Sequence, residues 1–290
     1  MTSPVRNPDP CPAARAAHNI DMDAGVARKV RKLARLGGPL CVGLDLAGVP
    51  HRETGVAVTR DGRLVLLASA GSDAEILAFA ALAGSGGTVA INAPLTRPRG
   101  RCCLDDACRC RQDPGTRSRQ LERELARMGV PALATALIKV LARRGGRVAA
   151  LVRELGHEPI EVYPFATLKL LGLPWRGKRT AIGRARIYRA LRPLVPGLRH
   201  PRASEHQLDA VVCALTAQLW RDGKTRTVGE ADEGLMVIPA VVDPAPDAPP
   251  AQPMSGGTVG SIGTCTTTGP SAAKAARRAS ARSPGRSTRR

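Results

Sequence analysis

The sequence predicts an α/β domain, and three observations support this fold class. First, residues 40–47, LCVGLDLA, form a short apolar run that is typical of a strand buried on both faces of a sheet. Second, Asp61 and Gly62 separate two apolar runs and are typical of a two-residue hairpin turn. Third, the predicted order β-β-β-α-β-helices-β-helices indicates an α/β domain whose first three strands form an antiparallel meander.

The individual elements follow from the same patterns along the chain. Apolar runs bounded by turn residues predict strands at residues 40–47, 54–59, 64–69, 88–92 and 160–163, the last of these being the last strand of the main sheet, and a short closing strand at 234–239. The segments between them predict helices at residues 23–36, 74–82, 166–171, 183–191 and 204–220, with two or three more between 119 and 155. Asp73 and Ser204 are predicted as N-caps of two of these helices.

Composition divides the chain into three parts. Residues 1–38 form a polar N-terminal extension that carries a basic helix, and its first 20 residues are Pro-rich and predicted to be disordered. Residues 39–240 form the folded domain, interrupted by a Cys-rich insertion at 96–118. Residues 241–290 are first Pro/Ala-rich, then Gly/Ser/Thr-rich and finally Arg-rich, which predicts a disordered basic tail.

The charge of the chain favours a polyanionic partner. The formal net charge is +20, and the last 25 residues hold seven Lys or Arg and no acid, which leaves +13 on the remainder. We expect the partner to be nucleic acid, either DNA or RNA; solubility and compositional bias are the alternative explanations. No stretch reaches the roughly 18 apolar residues of a membrane span, and the N-terminus lacks the apolar core of a signal peptide. We therefore expect a cytoplasmic protein with no membrane partner, whose eight cysteines are reduced unless they bind metal.

Four acids interrupt the most apolar segments. Asp45 lies near the end of the first predicted strand, Glu161 lies within a later strand, and Glu205 and Asp209 are four residues apart on one helix face. If these acids converge, they repel each other unless a cation lies between them, and Mg²⁺ or Mn²⁺ suits carboxylate oxygens. Two such ions can hydrolyse a phosphodiester. Taken singly, Asp45 could cap a turn, Glu161 could pair with an arginine, and Glu205 could favour its helix dipole.

An ordered set of motifs resembles a known family. The segments GLDLA, TGVAV, VAINAPL, IEVYP, EHQLDAVVCALTA and EGLMVIP, between about residues 40 and 239, are similar to domain-of-unknown-function family 429 (DUF429), described as predicted nucleases of the ribonuclease-H-like fold. This resemblance implies a five-stranded mixed sheet flanked by helices. It also implies that Asp45, Glu161 and Asp209 are the catalytic acids and metal ligands, with Glu205 as an accessory ligand.

One position departs from the family pattern. The fourth motif of the family usually has an acid where this chain has Asn92, whose amide oxygen can ligate a hard metal ion but supplies no charge. We expect a divalent-metal-dependent nuclease, and the alternative is a catalytically weakened nucleic-acid-binding module of the same fold. A nucleotide phosphotransferase is a further alternative, but residues 84–87, GSGG, precede a strand where a phosphate loop would follow one.

Three other groups of residues are candidates for binding. Four thiols crowd into nine residues and could hold Zn²⁺, although the spacing C-C-x4-C-x-C is unusual, so redox chemistry and incidental cysteines remain alternatives: Cys102, Cys103, Cys108 and Cys110. Four basic residues follow the Glu161 strand and could hold substrate phosphates, or could simply be a solvated helix face: Lys178, Arg179, Arg184 and Arg186. His206, beside the acids, is the one histidine that merits a test.

Overall fold

A computed structural model describes residues 23–111 and 117–240. The first 20 residues and the tail from 241, for which disorder is predicted, lie outside the described residues, as do positions 112–116 of the Cys-rich insertion. The described residues form a mixed sheet flanked by helices, which confirms the α/β class. No helix within them is long and apolar enough to cross a lipid bilayer.

The sheet has seven strands in the order β3-β2-β1-β4-β5-β7-β6. In chain order the strands are β1 (Cys41–Asp45), β2 (Thr54–Arg60), β3 (Arg63–Ala70), β4 (Thr88–Ile91), β5 (Ile160–Val162), β6 (Thr225–Glu230) and β7 (Gly234–Pro239). β1, β4, β5 and β7 run parallel, and β6 pairs antiparallel with β7. The meander β1-β2-β3 is antiparallel, as predicted.

The hairpin between β2 and β3 has the predicted turn. Arg60 pairs with Arg63, and the two residues between them, Asp61 and Gly62, have φ values of 48° and 74°. Positive φ at both central residues gives the turn whose twist matches that of the flanking strands. Glycine and aspartate accept this backbone conformation, so the local sequence determines the turn.

Seven α-helices accompany the sheet in the described residues. They are α1 (Ala24–Ala34), α2 (Asp73–Ala80), α3 (Gln120–Arg127), α4 (Lys139–Glu154), α5 (Pro164–Leu170), α6 (Ala181–Leu191) and α7 (Glu205–Arg221). Ser204 caps α7 as predicted, and its hydroxyl accepts from the Gln207 amide at 3.1 Å. The predicted N-cap Asp73 is wrong: Ser72 caps α2, because its hydroxyl accepts from the Glu75 amide at 3.2 Å.

The number of strands differs from the five that the resemblance implies. The prediction that residues 160–163 form the last strand of the main sheet is also wrong, because β7 pairs with β5 through Glu161–Met236 and Val162–Val237. β6 then extends the same sheet by a hairpin. Most residues of β6 are polar and partly exposed, so it carries no apolar pattern from which to predict a strand.

The two faces of the sheet are covered by different helices. On one face, Leu44 and Ile91 belong to a core that also contains buried residues of α1, α2 and α4. On the other face, α7 packs directly on β1 and β2 through two glycines. A Cβ at Gly43 would overlap the backbone of Ala210, and a Cβ at Gly55 would overlap the carbonyl of His206. The glycines therefore bring the first turns of α7 onto the end of β1.

Candidate functional site

Asp45, the last residue of β1, is the centre of the candidate site. The parallel register that sets Leu44 beside Ile91 places Asp45 beside Asn92. Asn92 Nδ2 donates to Asp45 Oδ1 at 2.5 Å, and His206 Nδ1 lies 2.6 Å from Asp45 Oδ2. The carboxylate is buried, so these two contacts replace the water that it loses on folding.

Helix α7 delivers its polar residues to the same place. Glu205, His206 and Asp209 lie within its first five residues, and positions four apart share one helix face. The Ser204 cap fixes where the helix begins, and Gly55 allows its first turn to approach β2. The structure therefore brings the predicted acids Asp45, Glu205 and Asp209 near enough to His206 for all three to influence its charge.

Lys178 closes the site from the segment before α6. Its ammonium pairs with Asp209 Oδ2. Arg184 stabilises this segment, because its Nη1 donates to the carbonyls of Lys178 at 3.3 Å and Arg179 at 3.0 Å. Of the four predicted phosphate-binding residues, one therefore contacts an acid and one braces the loop, while Arg179 and Arg186 are exposed.

Burial and neighbouring charges shift the protonation of this site. Burial raises the pKa of Asp209 to about 6, and the negative charge of Asp45 adds to the shift. The hydrogen bond to Asp45 raises the pKa of His206 above its ordinary value. Burial lowers the pKa of Lys178, but the charge of Asp209, its hydrogen bond, and the charges of Asp45 and Glu205 together outweigh burial, so the net shift of the pKa is upward. The acids therefore favour the protonated, cationic forms of Lys178 and His206.

One oxygen of the site has no hydrogen-bond donor. Glu205 Oε2 is buried, and no donor within the described part of the chain reaches it. A buried carboxylate oxygen without a donor costs about 1–3 kcal/mol or more. Glu205 also contributes to the raised pKa values of Lys178 and His206, so its charge is felt at the same place. A cation at this position would remove the cost.

Glu161 does not join the other acids. Its register partner is Ile91, which pairs in turn with Leu44, so all three side chains point to the face opposite Asp45. The next residue, Val162, packs with Cys213 of α7, which confirms the alternation. This arrangement does not meet the expectation that Glu161 shares a metal ion with Asp45 and Asp209. Side chains of successive strand residues point to opposite faces, so the register of β5 places Glu161 on one face of the sheet and the other two acids on the other.

An arginine occupies Glu161 instead. Arg119 donates to both Glu161 oxygens at 2.7 and 2.6 Å, and the amide of Leu95 donates to Oε2 at 2.8 Å. Arg119 is 1% exposed and Glu161 is 3% exposed. Arg119 also contacts Glu122 at 3.1 Å. The pairing of Glu161 with an arginine, the alternative open from sequence, is what the structure shows; Arg119 lies 42 residues earlier, and no local pattern identifies it as the partner.

The acids offer the oxygen ligands that a divalent ion prefers, but their side chains would have to move closer together for three of them to share one ion, because within the described residues no three of these acids and His206 place ligand atoms within 4.8 Å of one another. Mg²⁺ and Mn²⁺ prefer oxygen ligands, and Mg²⁺ commonly takes one or two carboxylates and keeps waters that a phosphate can replace. Asp45 and Asp209 supply two carboxylates, and Glu205 Oε2 is an oxygen in need of a positive charge. Asn92 turns its amide nitrogen, not its oxygen, toward Asp45, so it would have to rotate to act as a ligand.

The four cysteines of the insertion form a second candidate metal centre. Within residues 23–111 and 117–240, they are the only group of three or more His, Cys, Asp or Glu whose ligand atoms all lie within 4.8 Å of one another. Cys102 and Cys108 approach to 3.4 Å between their sulfurs, and Cys103 and Cys110 to 4.0 Å. A hydrogen bond with the backbone of Cys103 lowers the pKa of Cys110 to about 6, whereas the hydrogen bond with Cys108 raises the pKa of Cys102 to about 12, so Cys110 is the sulfur most readily available as a thiolate. The cluster could hold a metal ion.

Comparison with known proteins identifies a family. Residues 89–234 match the family described as Protein of unknown function (DUF429), and the match includes Asn92, Lys178 and the acids of α7, while Asp45 precedes it. No curated protein and no solved structure matches the chain. The matched residues make up just over half of the 290 residues, and this protein therefore belongs to the DUF429 family.

Proposed function

We propose that this protein is a divalent-metal-dependent nuclease of ribonuclease-H-like architecture that hydrolyses phosphodiester bonds of DNA or RNA. The observation that carries the proposal is the convergence of Asp45, Asp209 and Glu205, two of them buried, at one end of β1 and α7. Buried acids without full compensation are characteristic of sites that bind a cation or perform acid–base chemistry. Glu161, bound to Arg119, is left out of this site and has a structural role.

The proposed ligands are Asp45, Asp209 and Glu205, with Asn92 as a neutral neighbour. When bound, Mg²⁺ or Mn²⁺ would supply a nucleophilic water at neutral pH and neutralise charge on the phosphate. The carboxylates would hold this ion, and its charge would lower the pKa of Asp209, which burial and Asp45 raise in the protein alone. This coupling makes metal binding release a proton below about pH 6.

The two cationic side chains have distinct proposed roles. Lys178 has a half-buried side chain that can leave Asp209 and contact a substrate phosphate, since lysine binds phosphate as a flexible point charge. His206 contacts Asp45 through Nδ1, which orients the ring and leaves proton exchange with a substrate to Nε2. Arg184 positions the Lys178 segment.

Nucleic acid as the substrate rests on charge. The chain has a net charge of +20, and two exposed arginines follow Lys178, Arg179 directly and Arg186 within α6. Such residues contact phosphates without reading bases, so they support a polyanionic phosphodiester and no sequence preference.

One observation favours a second candidate, a nucleic-acid-binding module without catalysis. Asn92 offers an amide donor to Asp45 where the family usually has an acid, and Lys178 and His206 already compensate two carboxylates. In that case the polar cluster would be a stable arrangement that needs no metal ion.

A cleavage assay separates the two candidates. The purified full chain is incubated with Mg²⁺ or Mn²⁺ and labelled single-stranded, duplex, branched and hybrid substrates, alongside Asp209→Asn and the control Glu158→Gln, an exposed acid paired with Arg153. A nuclease will cut in a chelator-sensitive manner, Asp209→Asn will abolish cutting, and Glu158→Gln will cut like the parent. Cutting that ignores chelator, or that survives Asp209→Asn, contradicts the proposed site; salt-sensitive binding without cutting establishes the binding module.

A further inference from the structure

We propose that the four cysteines of the insertion bind one zinc ion, which fixes the loop at residues 97–111 against α4 and so builds one wall of an arginine-lined cavity. The ligands would be the sulfurs of Cys102, Cys103, Cys108 and Cys110. This site is separate in chemistry from the carboxylate cluster, and it does not depend on nuclease activity.

The spacing of the sulfurs matches a single tetrahedral ion. A zinc–sulfur bond is about 2.3 Å, so the sulfurs of a regular tetrahedron are separated by about 3.8 Å. The Cys102–Cys108 and Cys103–Cys110 sulfur pairs lie at 3.4 and 4.0 Å, on either side of this value, and all four sulfurs lie within 4.8 Å of one another. A disulfide needs about 2.05 Å, so neither pair is bonded in the structure. Tetrahedral sites of four sulfur ligands hold zinc or iron, and zinc is the usual ion of structural sites with four cysteines.

The surroundings of the cluster support thiolates. The amide of Asp105 donates to Cys103 Sγ at 3.4 Å, as a hydrogen bond to a metal-bound thiolate does. Arg101, itself buried, donates to the carbonyls of Cys103 at 2.9 Å and Asp105 at 3.3 Å and brings a positive charge to the cluster. Four thiolates and one Zn²⁺ carry a net charge of −2, which nearby arginines offset.

The loop needs such a cross-link. Between β4 and α3 its described regular structure is the single 3₁₀ turn Arg109–Arg111. It reaches α4 through buried Leu104, whose carbonyl accepts from Arg143 at 2.7 Å, and through the ion pair of Asp106 with Lys139. On the side facing α4 these contacts are one buried leucine and partly exposed polar pairs, which contribute little to order, whereas a structural zinc ion supplies folding free energy directly.

The ordered loop has a consequence for the surface. With α4 it encloses a cavity of about 730 Å³ whose lining includes Arg97, Arg99, Arg101, Arg143 and Arg147. Arg97 donates to the carbonyl of Cys102, so its position depends directly on the cluster. Loss of the ion would release this wall.

The metal content of the full chain tests the proposal. Protein purified without chelator, or refolded with Zn²⁺, is expected to contain one zinc per chain, and Co²⁺ in its place should give the thiolate charge-transfer bands of a tetrahedral site. Cys102→Ser and Cys110→Ser should lose the ion. The matched control Cys11→Ser/Cys265→Ser, at the two cysteines outside the described residues, should keep it.

Limited trypsin digestion provides a second measurement on the parent protein, which needs no variant to fold. At a free Zn²⁺ concentration of about 100 times the dissociation constant, the opened loop is about 100-fold less populated, so chelation should speed cleavage within residues 97–111 about 100-fold. Iron or no metal in the protein, two disulfides by mass, zinc retained in both cysteine variants, or cleavage unchanged by chelator would each overturn the proposal.

Discussion

Glu161→Gln distinguishes a structural acid from a metal ligand. Glu161 is 3% exposed and Arg119 1% exposed, and the two share a pair of hydrogen bonds at 2.7 and 2.6 Å. The substitution leaves Arg119 with Glu122 as its remaining charged partner and turns an amide toward the guanidinium. Breaking a buried ion pair costs 3–5 kcal/mol, and the retained contact with Glu122 puts the expected loss of unfolding free energy at about 3 kcal/mol.

Urea and thermal unfolding measure this loss. For a domain of about 200 residues, 3 kcal/mol corresponds to a melting temperature about 6–12 °C lower. The control Glu158→Gln removes an exposed partner of Arg153 and should change stability by less than about 1 kcal/mol. If Glu161 were instead a metal ligand, its substitution would leave the metal-free protein nearly as stable and abolish affinity for Mg²⁺ or Mn²⁺. That pair of results would refute the structural role.

Three further predictions concern the α7 side of the sheet. Asp209→Asn should raise the melting temperature at pH 7. The folded protein holds the pKa of Asp209 at about 6, above its ordinary 3.8, so the stability of the wild type falls as pH rises between these values. The gain in melting temperature should therefore shrink toward pH 4, and an equal gain at both pH values would contradict this cause. His206→Gln should destabilise the protein more below pH 6.5 than at pH 9. The pKa of His206 is raised in the folded protein, so its stabilising contribution is lost as pH rises through that pKa. A loss of melting temperature that does not change with pH would show that the charge on His206 is unimportant. Gly43→Ala should lower the free energy of unfolding in urea by about 2 kcal/mol or more, because the new Cβ overlaps the backbone of α7. In the control Gly146→Ala, within α4, the new Cβ meets ordinary contacts, so this substitution should be neutral or stabilising. Similar values for the two variants would mean that α7 can move away from β1 without loss of stability.

The sheet could be predicted where burial imposes a pattern on the sequence. β1 is buried along its whole length, so a continuous apolar run identifies it, and the hairpin turn at Asp61 and Gly62 is encoded in two residues. β6 lacks such a pattern, because it becomes a strand through its pairing with β7 and remains largely exposed. Residues of such an edge strand can be polar, so the strand has no hydrophobic periodicity by which to predict it.

The site could be predicted in part, for a similar reason. Asp45 and Asp209 interrupt apolar elements at positions that parallel strands and a helix start bring together, so their convergence follows from topology. The face on which Glu161 lies depends on a register of one residue between β4 and β5, which the sequence does not specify. Its partner Arg119 lies far away in the sequence, immediately before α3, and the local sequence gives no indication that this arginine is buried.

The way in which each buried acid is compensated indicates which of them can take part in binding. Glu161 is held by a planar guanidinium that makes two hydrogen bonds and is almost fully buried, so exchanging this partner would break a network that includes Glu122. Asp209 is held by the ammonium of Lys178, whose side chain is 39% exposed and can move into solvent. A metal ion can replace a mobile counter-charge at little structural cost, and a phosphate can draw a mobile lysine away from its acid, whereas the fixed arginine resists both. The physical chemistry of the counter-ions, more than the positions of the acids in the sequence, therefore supports the proposal that Glu161 stabilises the fold and that binding takes place on the Asp45 face.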